Sequence, residues 1–385
     1  MTIPLLATLA GAAFVSLVLT LFVMTASRRM RLKDSPGAAG HEKLELRDVP
    51  NTGGIAIYLT LAIPVLAGLA LAWFGEGIVA SMNEAWAANL ESVRVITPGV
   101  LTLLGAITVL HVMGLVDDRR AVGAWPKLLV MVAVAVTMAV VPGDRLFTFL
   151  DQHAGGPWAS MALTALWLVI VMNAVNFMDN MDGVAAGVVA VAAGCIFSTM
   201  LVGGEQWKVG LMFALLIGAC LGFLVFNFPR ASIFMGDSGS LVLGLMLGYL
   251  TINVTYFGGS ADTPWYAVFM PLVVLAVPLY DFLSVVVIRL AQGKSPMVGD
   301  QQHFGHRLRA KGLSDTQVWL VLCGATAVTG VSGIVLTHAE GWIAALMPLQ
   351  VGLVLTLVAV YEHGSRKAMK ANGTNGSSPG RANAA

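Results

Sequence analysis

Charge is what this chain has least of. Only 11% of its 385 residues are Asp, Glu, Lys or Arg, against about 25% in ordinary soluble domains, and the mean hydropathy is +0.81. That composition excludes a water-soluble globular protein and points to an integral membrane protein. The net charge is +1 and no arginine-rich or aromatic-interleaved basic stripe is present, which excludes a nucleic-acid partner. Cysteine is nearly absent as well: Cys195, Cys220 and Cys323 lie singly in apolar runs without paired spacing, so they read as small buried hydrophobes with no disulfide or zinc role. No internal repeat is visible, which argues against a carrier built from repeated halves. No basic residue precedes the first apolar run, Ile3 to Thr25, which is too long for a signal-peptide core. Arg28, Arg29, Arg31 and Lys33 follow it at once, so it reads as a first spanning helix with its N-terminus outside.

What is present is a succession of such runs. A helix needs about 20 apolar residues to cross about 30 Å of hydrocarbon. On that ruler the spans are Ile3 to Thr25, Gly53 to Phe74, Pro98 to Val116, Leu128 to Val141, Trp158 to Val175, Val184 to Val202, Val209 to Phe226, Leu241 to Phe257, Trp265 to Ile288, Val318 to Thr337 and Trp342 to Val360. The expectation is an all-α polytopic membrane protein of about eleven transmembrane helices, with Leu128 to Val141 the shortest. With the N-terminus outside, 19 of the 22 Lys and Arg fall on the inner side, leaving only Arg94, Arg145 and Lys208 outside. The C-terminus is then cytoplasmic and the location is the cell inner (plasma) membrane. Residues 1–364 form the membrane domain, with inner loops at about 26–52, 117–127, 176–183, 227–240 and 289–316. Residues 365–385, rich in Ser, Gly, Asn and Ala, read as a disordered cytoplasmic tail.

Against this apolar background the polar runs stand out. Asn173 to Gly183 reads NAVNFMDNMDG between two spans, where each ionisable group costs a few kcal/mol. If helix continues through Asp179 and Asp182, their carboxylates share one face and call for a cation. Asp117 and Asp118 close the third span in GLVDDRR, NFPRASIFMGDSGS runs from Asn227 to Ser240, and DQQHFGHRL runs from Asp300 to Leu308. Taken singly, DDRR is also what a solvated membrane boundary looks like, MGDSG is also a turn, and the histidine pair lacks the Glu of a zinc-protease HExxH. Jointly the motifs fall on one side, the cytoplasmic face. Asp117, Asp118, Asp179, Asp182 and Asp237 bring oxygen ligands of the kind Mg²⁺ takes beside substrate phosphates. His303, His306, Arg307, Arg309, Arg47 and Lys127 are donors for phosphate oxygens. Gly236 and Gly239 permit close backbone approach, and Ser238 or Ser240 is placed to cap the helix that follows. Asp281, in the ninth span after Pro271 and Pro278, sits where a kink is expected, and either faces the cleft or pairs with Arg289.

The ordered series RDVPNTGG (Arg47 to Gly54), GLVDDR, NAVNFMDNMDG, FNFPRASIFMGDSGS and HFGHRL resembles the polyprenyl-phosphate N-acetylhexosamine-1-phosphate transferases, the MraY/WecA-like enzymes of glycosyltransferase family 4. The likeness runs from about Arg47 to Leu313. It implies Mg²⁺-dependent transfer, with Mn²⁺ as a substitute, of a sugar-1-phosphate from a UDP-N-acetylhexosamine to a polyprenyl phosphate in the bilayer, releasing UMP. The product would be the first lipid intermediate of a surface polysaccharide. By the same resemblance, Asp237 and Asp179 serve the metal, and Asp117 and Asp118 the lipid phosphate. Asn176, Asp179 and Asp182 lie near metal and nucleotide, Asn227 and Phe234 line a uridine pocket, and His303 and His306 face the diphosphate; Asn173, Arg47, Lys127 and Arg307 join the candidate substrate-binding residues from their own chemistry and place. The loop SPMVGDQQHFGHRLRAKGLS is closer to the WecA-like pattern, which favours GlcNAc-1-phosphate over the phospho-MurNAc-pentapeptide of peptidoglycan synthesis. Gly305 stands where that pattern has its middle histidine, and Asn180 where the family has Gly. A secondary transporter is the reading from another class. The sequence leaves the oligomeric state open, a homodimer included.

Overall fold

The computed structural model describes residues 2–32, 49–82, 84–153, 155–203, 206–254, 265–295 and 303–374. Arg47, the residues 296–302 that begin the histidine loop, and 375–385 lie outside the described residues. Fifteen α-helices are seen among the described residues: α1 (Thr2–Arg29), α2 (Gly53–Phe74), α3 (Glu76–Met82), α4 (Glu84–Ala87), α5 (Leu90–Arg119), α6 (Ala124–Val140), α7 (Trp158–Met178), α8 (Val184–Gly203), α9 (Trp207–Asn227), α10 (Asp237–Asn253), α11 (Met270–Val274), α12 (Ala276–Ala291), α13 (Phe304–Arg309), α14 (Asp315–Leu336) and α15 (Trp342–Thr374).

All eleven expected apolar segments are helical where described, but they are not equivalent. Eight helices are long and apolar enough to cross a membrane, and a ninth span arises if Tyr266–Val274 and Ala276–Ala291, bent by 68°, are taken together. The bend falls at Leu275, between Pro271 and Pro278, where the sequence placed a break. The two remaining segments, α6 and α10, have 17 residues each, about the lower limit for a span. α15 continues past residue 365 to Thr374, into the segment read as tail.

α10 is the hub. Its residues from Ser238 to Thr251 are all buried, so a helix apolar on every side is surrounded by others, here α2, α5, α7, α8 and α9. Small residues set the spacing: a Cβ on Gly244 would lie 2.7 Å from Met172 Cα of α7, and one on Gly239 would lie 2.9 Å from Gly54 Cα of α2. α1 packs along α9 in the same manner, Ser16 Oγ donating to the Ala219 carbonyl at 2.7 Å across the seam. α15 has only 11% of its apolar window buried and faces outward with α1 and α6, as lipid-exposed helices do. Exposed Trp73, Trp158 and Trp342 ring one end of the bundle and Trp125 the other, in the manner of interfacial aromatic belts. The α10 N-terminus and the ends of α5 and α7 meet at the Trp125 end.

Candidate active site at one end of the bundle

The site is built on the first turn of α10. Gly236 precedes it with φ +68, a left-handed backbone that glycine adopts without strain, and neither Ser238 nor Ser240 caps the helix. The cap comes from another helix. Asp118, at the end of α5, accepts the N–H of Asp237 at 2.9 Å through Oδ1 and that of Ser238 at 3.2 Å through Oδ2. The carboxylate meets the positive end of the α10 dipole, and Asn51 Nδ2 donates to the same Oδ1 at 3.2 Å. So close an approach depends on Gly114, where a Cβ would meet Ser238 N at 2.3 Å.

Beside this cap lies the charged centre. The Lys127 ammonium, from the first turn of α6, reaches Asp117 Oδ2 at 2.9 Å and also Asp237 Oδ2. Asp117 Oδ1 accepts the Val122 N–H at 2.9 Å, while Asn176 Nδ2 of α7 donates to Asp237 Oδ1 and to Ser240 Oγ, both at 2.9 Å. Lys127, Asp117 and Asp237 keep 21%, 16% and 22% of their side-chain surface, so the centre is recessed yet open to a ligand. Two carboxylates thus share a single ammonium. Among the described residues no three acids, histidines or cysteines form a metal cage; the carboxylate oxygens are of the kind Mg²⁺ takes one or two at a time, its shell completed by water and substrate phosphate. The position shared by Asp117 and Asp237 already accommodates a cation, that of Lys127.

The expected Asp179 and Asp182 pairing needs correction. α7 ends at Met178, Asn180 Nδ2 turns back to the Phe177 carbonyl, and Gly183 has φ +75, so the two aspartates do not share a helical face. Asp179 caps the end of α7 one turn beyond Asn176, its N–H donating to the Asn176 carbonyl. Asp182 Oδ2 accepts the Ala231 N–H at 2.9 Å and ties this turn to the loop before α10. Asn227 does similar work: it is 4% exposed, its Oδ1 accepting from Gly183 N–H at 2.8 Å and its Nδ2 donating to the Ile233 carbonyl at 2.9 Å. Asn173 donates to Val169 O within its own helix. Phe234 is half-buried and bridges Asn51 in a short parallel β contact.

The histidine helix α13 packs on the same turn. His303 stands edge-on to Phe177 at 5.0 Å, and a Cβ on Gly305 would lie 2.6 Å from Met181 Sδ and 3.5 Å from Asn180 Oδ1. The two departures from the family pattern, Gly305 and Asn180, are therefore neighbours, and a histidine at 305 has no room unless Met181 moves. Arg307 is 8% exposed and its Nη2 donates to Ser284 Oγ of α12 at 2.8 Å. His306 is half-buried. Burial, reinforced by His303 and Arg309, lowers its imidazole pKa from the ordinary value. One contributor was missed in the sequence, Asn51 inside the quoted RDVPNTGG, and Ser240, read as a cap, instead accepts from Asn176.

Comparison with known proteins agrees with this arrangement. Glycosyl transferase family 4 matches residues 100–255, which hold Asp117, Asn176 and Asp237. A decaprenyl-phosphate N-acetylglucosaminephosphotransferase of Mycolicibacterium smegmatis is 31% identical over 83% of this chain and 80% of its own length. The chain belongs to glycosyl transferase family 4. A probable undecaprenyl-phosphate N-acetylglucosaminyl 1-phosphate transferase of Bacillus subtilis is 29% identical over 86% of each chain. A phospho-N-acetylmuramoyl-pentapeptide-transferase of Desulforudis audaxviator is 33% identical over 63% of this chain and 74% of its own. The family membership, with Asp117, Asp118 and Asp237 gathered at one end of the bundle, favours a transferase over the secondary transporter considered from the sequence.

Proposed function

We propose that this family 4 protein transfers N-acetylglucosamine-1-phosphate from a UDP-sugar to a polyprenyl phosphate in the membrane, releasing UMP, with Mg²⁺ as cofactor. The observation that carries the reading is the Asp117–Lys127–Asp237 centre, a cation seated between two open carboxylates at the capped start of a buried helix. The names of relatives that align over most of the chain support polyprenyl phosphate and N-acetylglucosamine phosphate as acceptor and transferred group. The excess of Lys and Arg in alternate loops supports placing this end, and the C-terminus, in the cytoplasm.

The acceptor is a phosphate monoester with a second pKa near about 6, mostly dianionic at neutral pH, so no strong base is needed. In a single in-line displacement Asp117 orients the acceptor phosphate, and Asp118 keeps the α10 N-terminus in place. Lys127 exchanges part of its pairing with Asp237 for phosphate oxygens of the donor. Asp237, steadied by Asn176, would hold Mg²⁺ with Asp179 as the second expected ligand, and the metal when bound neutralises charge on the leaving UMP. His303 and His306 face the donor diphosphate.

The test is turnover of purified protein with polyprenyl phosphate, Mg²⁺ and a panel of UDP-sugars, read as UMP release. Release with UDP-N-acetylglucosamine is expected. No release with any UDP-N-acetylhexosamine removes the reading, and selective use of UDP-MurNAc-pentapeptide reassigns the donor to the activity named for the Desulforudis relative.

A further inference from the structure

Asp281 is a buried carboxylate that the mechanism above does not use. It is 1% exposed in α12, just past the bend, and a carboxylate so enclosed persists only where its oxygens are hydrogen-bonded. The sequence offered Arg289 as one partner. The structure gives others: Oδ1 accepts the Phe304 N–H at 2.5 Å, and Oδ2 faces His303 Nδ1 at 3.3 Å. The Arg289 guanidinium lies instead over the ring of Phe177, 5.7 Å from its centre. The same face of α12 braces the rest of the histidine helix, Tyr280 against Phe304 at 5.7 Å and Ser284 against Arg307.

We infer that Asp281 is the positioning residue of His303, fixing which ring nitrogen the histidine presents to the donor diphosphate. The inference rests on the phosphate-facing role of His303 in the proposed function. A carboxylate can only accept, so Nδ1 carries a proton and donates to Asp281; Nε2 has no partner among the described residues. Phe177 packs edge-on against the ring at 81° and fixes its plane. With Nδ1–H committed, Nε2 can donate to a phosphate oxygen only as the second N–H of an imidazolium. Asp281 thus leaves Nε2 as the ring nitrogen available to the donor diphosphate, and its bond to Phe304 N–H fixes the backbone from which the ring hangs.

Asp281→Asn separates these tasks. Its side-chain oxygen still accepts Phe304 N–H, while its amide now donates toward Nδ1 and forces the proton onto Nε2. We expect kcat/KM for the UDP-sugar to fall by about 10-fold or more, as when outer partners of functional histidines are removed, with the melting temperature unchanged. Combined with His303→Ala, Asp281→Asn should add less than about twofold, because the carboxylate acts through the ring. Losses that multiply in the double variant overturn the inference while leaving the site intact. Full activity of His303→Ala overturns the role of that histidine and the inference with it. Should Asp281→Asn fail to fold, ¹⁵N spectra of imidazole-labelled wild-type protein decide: an unprotonated Nδ1 on His303 overturns the assignment, and a protonated one supports it.

Discussion

The two ends of the bundle arrange their charged side chains to opposite effect. At the Trp73 and Trp158 end Arg145 and Arg94 meet their anions in closed sets. Arg145 Nη2 donates to Asp151 Oδ2 at 2.7 Å while its Nε donates to Ser160 Oγ, which in turn donates to Asp151 Oδ1. Arg94 joins Glu76 at 2.8 Å and the Ala72 carbonyl. At the other end Asp117 and Asp237 share Lys127, Asp118 caps α10 beside them, and amides and backbone N–H groups take the remaining oxygens. Closed sets staple loops to helices. A set with more acid than base is held ready for a cation that the protein itself does not supply.

The largest effect should come from removing the acid at the centre. Asp237→Ala is expected to lower UMP release by at least about 100-fold, in line with the loss of a main electrostatic group, with the fold retained in detergent. Gly114→Ala comes next. Its methyl would collide with the backbone of Ser238, push α5 from α10 and break the Asp118 cap, an overpacking cost of about 1–3 kcal/mol read as a lower melting temperature together with lost turnover. Lys127→Met leaves Asp117 and Asp237 without their ammonium. Its melting temperature should rise more steeply with Mg²⁺ than that of the wild type, and an unchanged Mg²⁺ response would break the contrast between the two ends. The smallest effect belongs to the closed set. Asp151→Asn should keep turnover within about twofold, as surface pairs contribute little. The Ser160 hydroxyl and Arg145 hold the Asp151 carboxyl below its ordinary pKa, so its small stabilisation is present above that value and is lost as pH falls through the lowered one. Acid melting curves of wild type and Asp151→Asn should converge at the acid end of that window.

How much of the site was legible follows from the reach of each interaction. Asp117, Lys127, Asn176 and Asp237 were visible as polar residues that an apolar chain has no structural reason to keep. The bend was visible from Pro271 and Pro278. The error at Asp179 and Asp182 came from extending helix through a segment whose Asn180 and Gly183 stop it. Asn227 and Asp182 were read as ligand contacts from the family resemblance; what only the structure adds is that both also fasten one loop to another. Asn51 went unnoticed, since nothing within its own segment reveals a partner 67 positions away.

The sequence by itself determined the solvent this protein lives in, the helical class and the family, because hydropathy and ordered motifs are properties of the string. Which acid caps a helix, which one shares a cation and which one holds a histidine was decided only by the tertiary structure. Those roles are set by α5, α7, α10 and α12 meeting at one end, and each rests on a donor that arrives from a distant part of the chain.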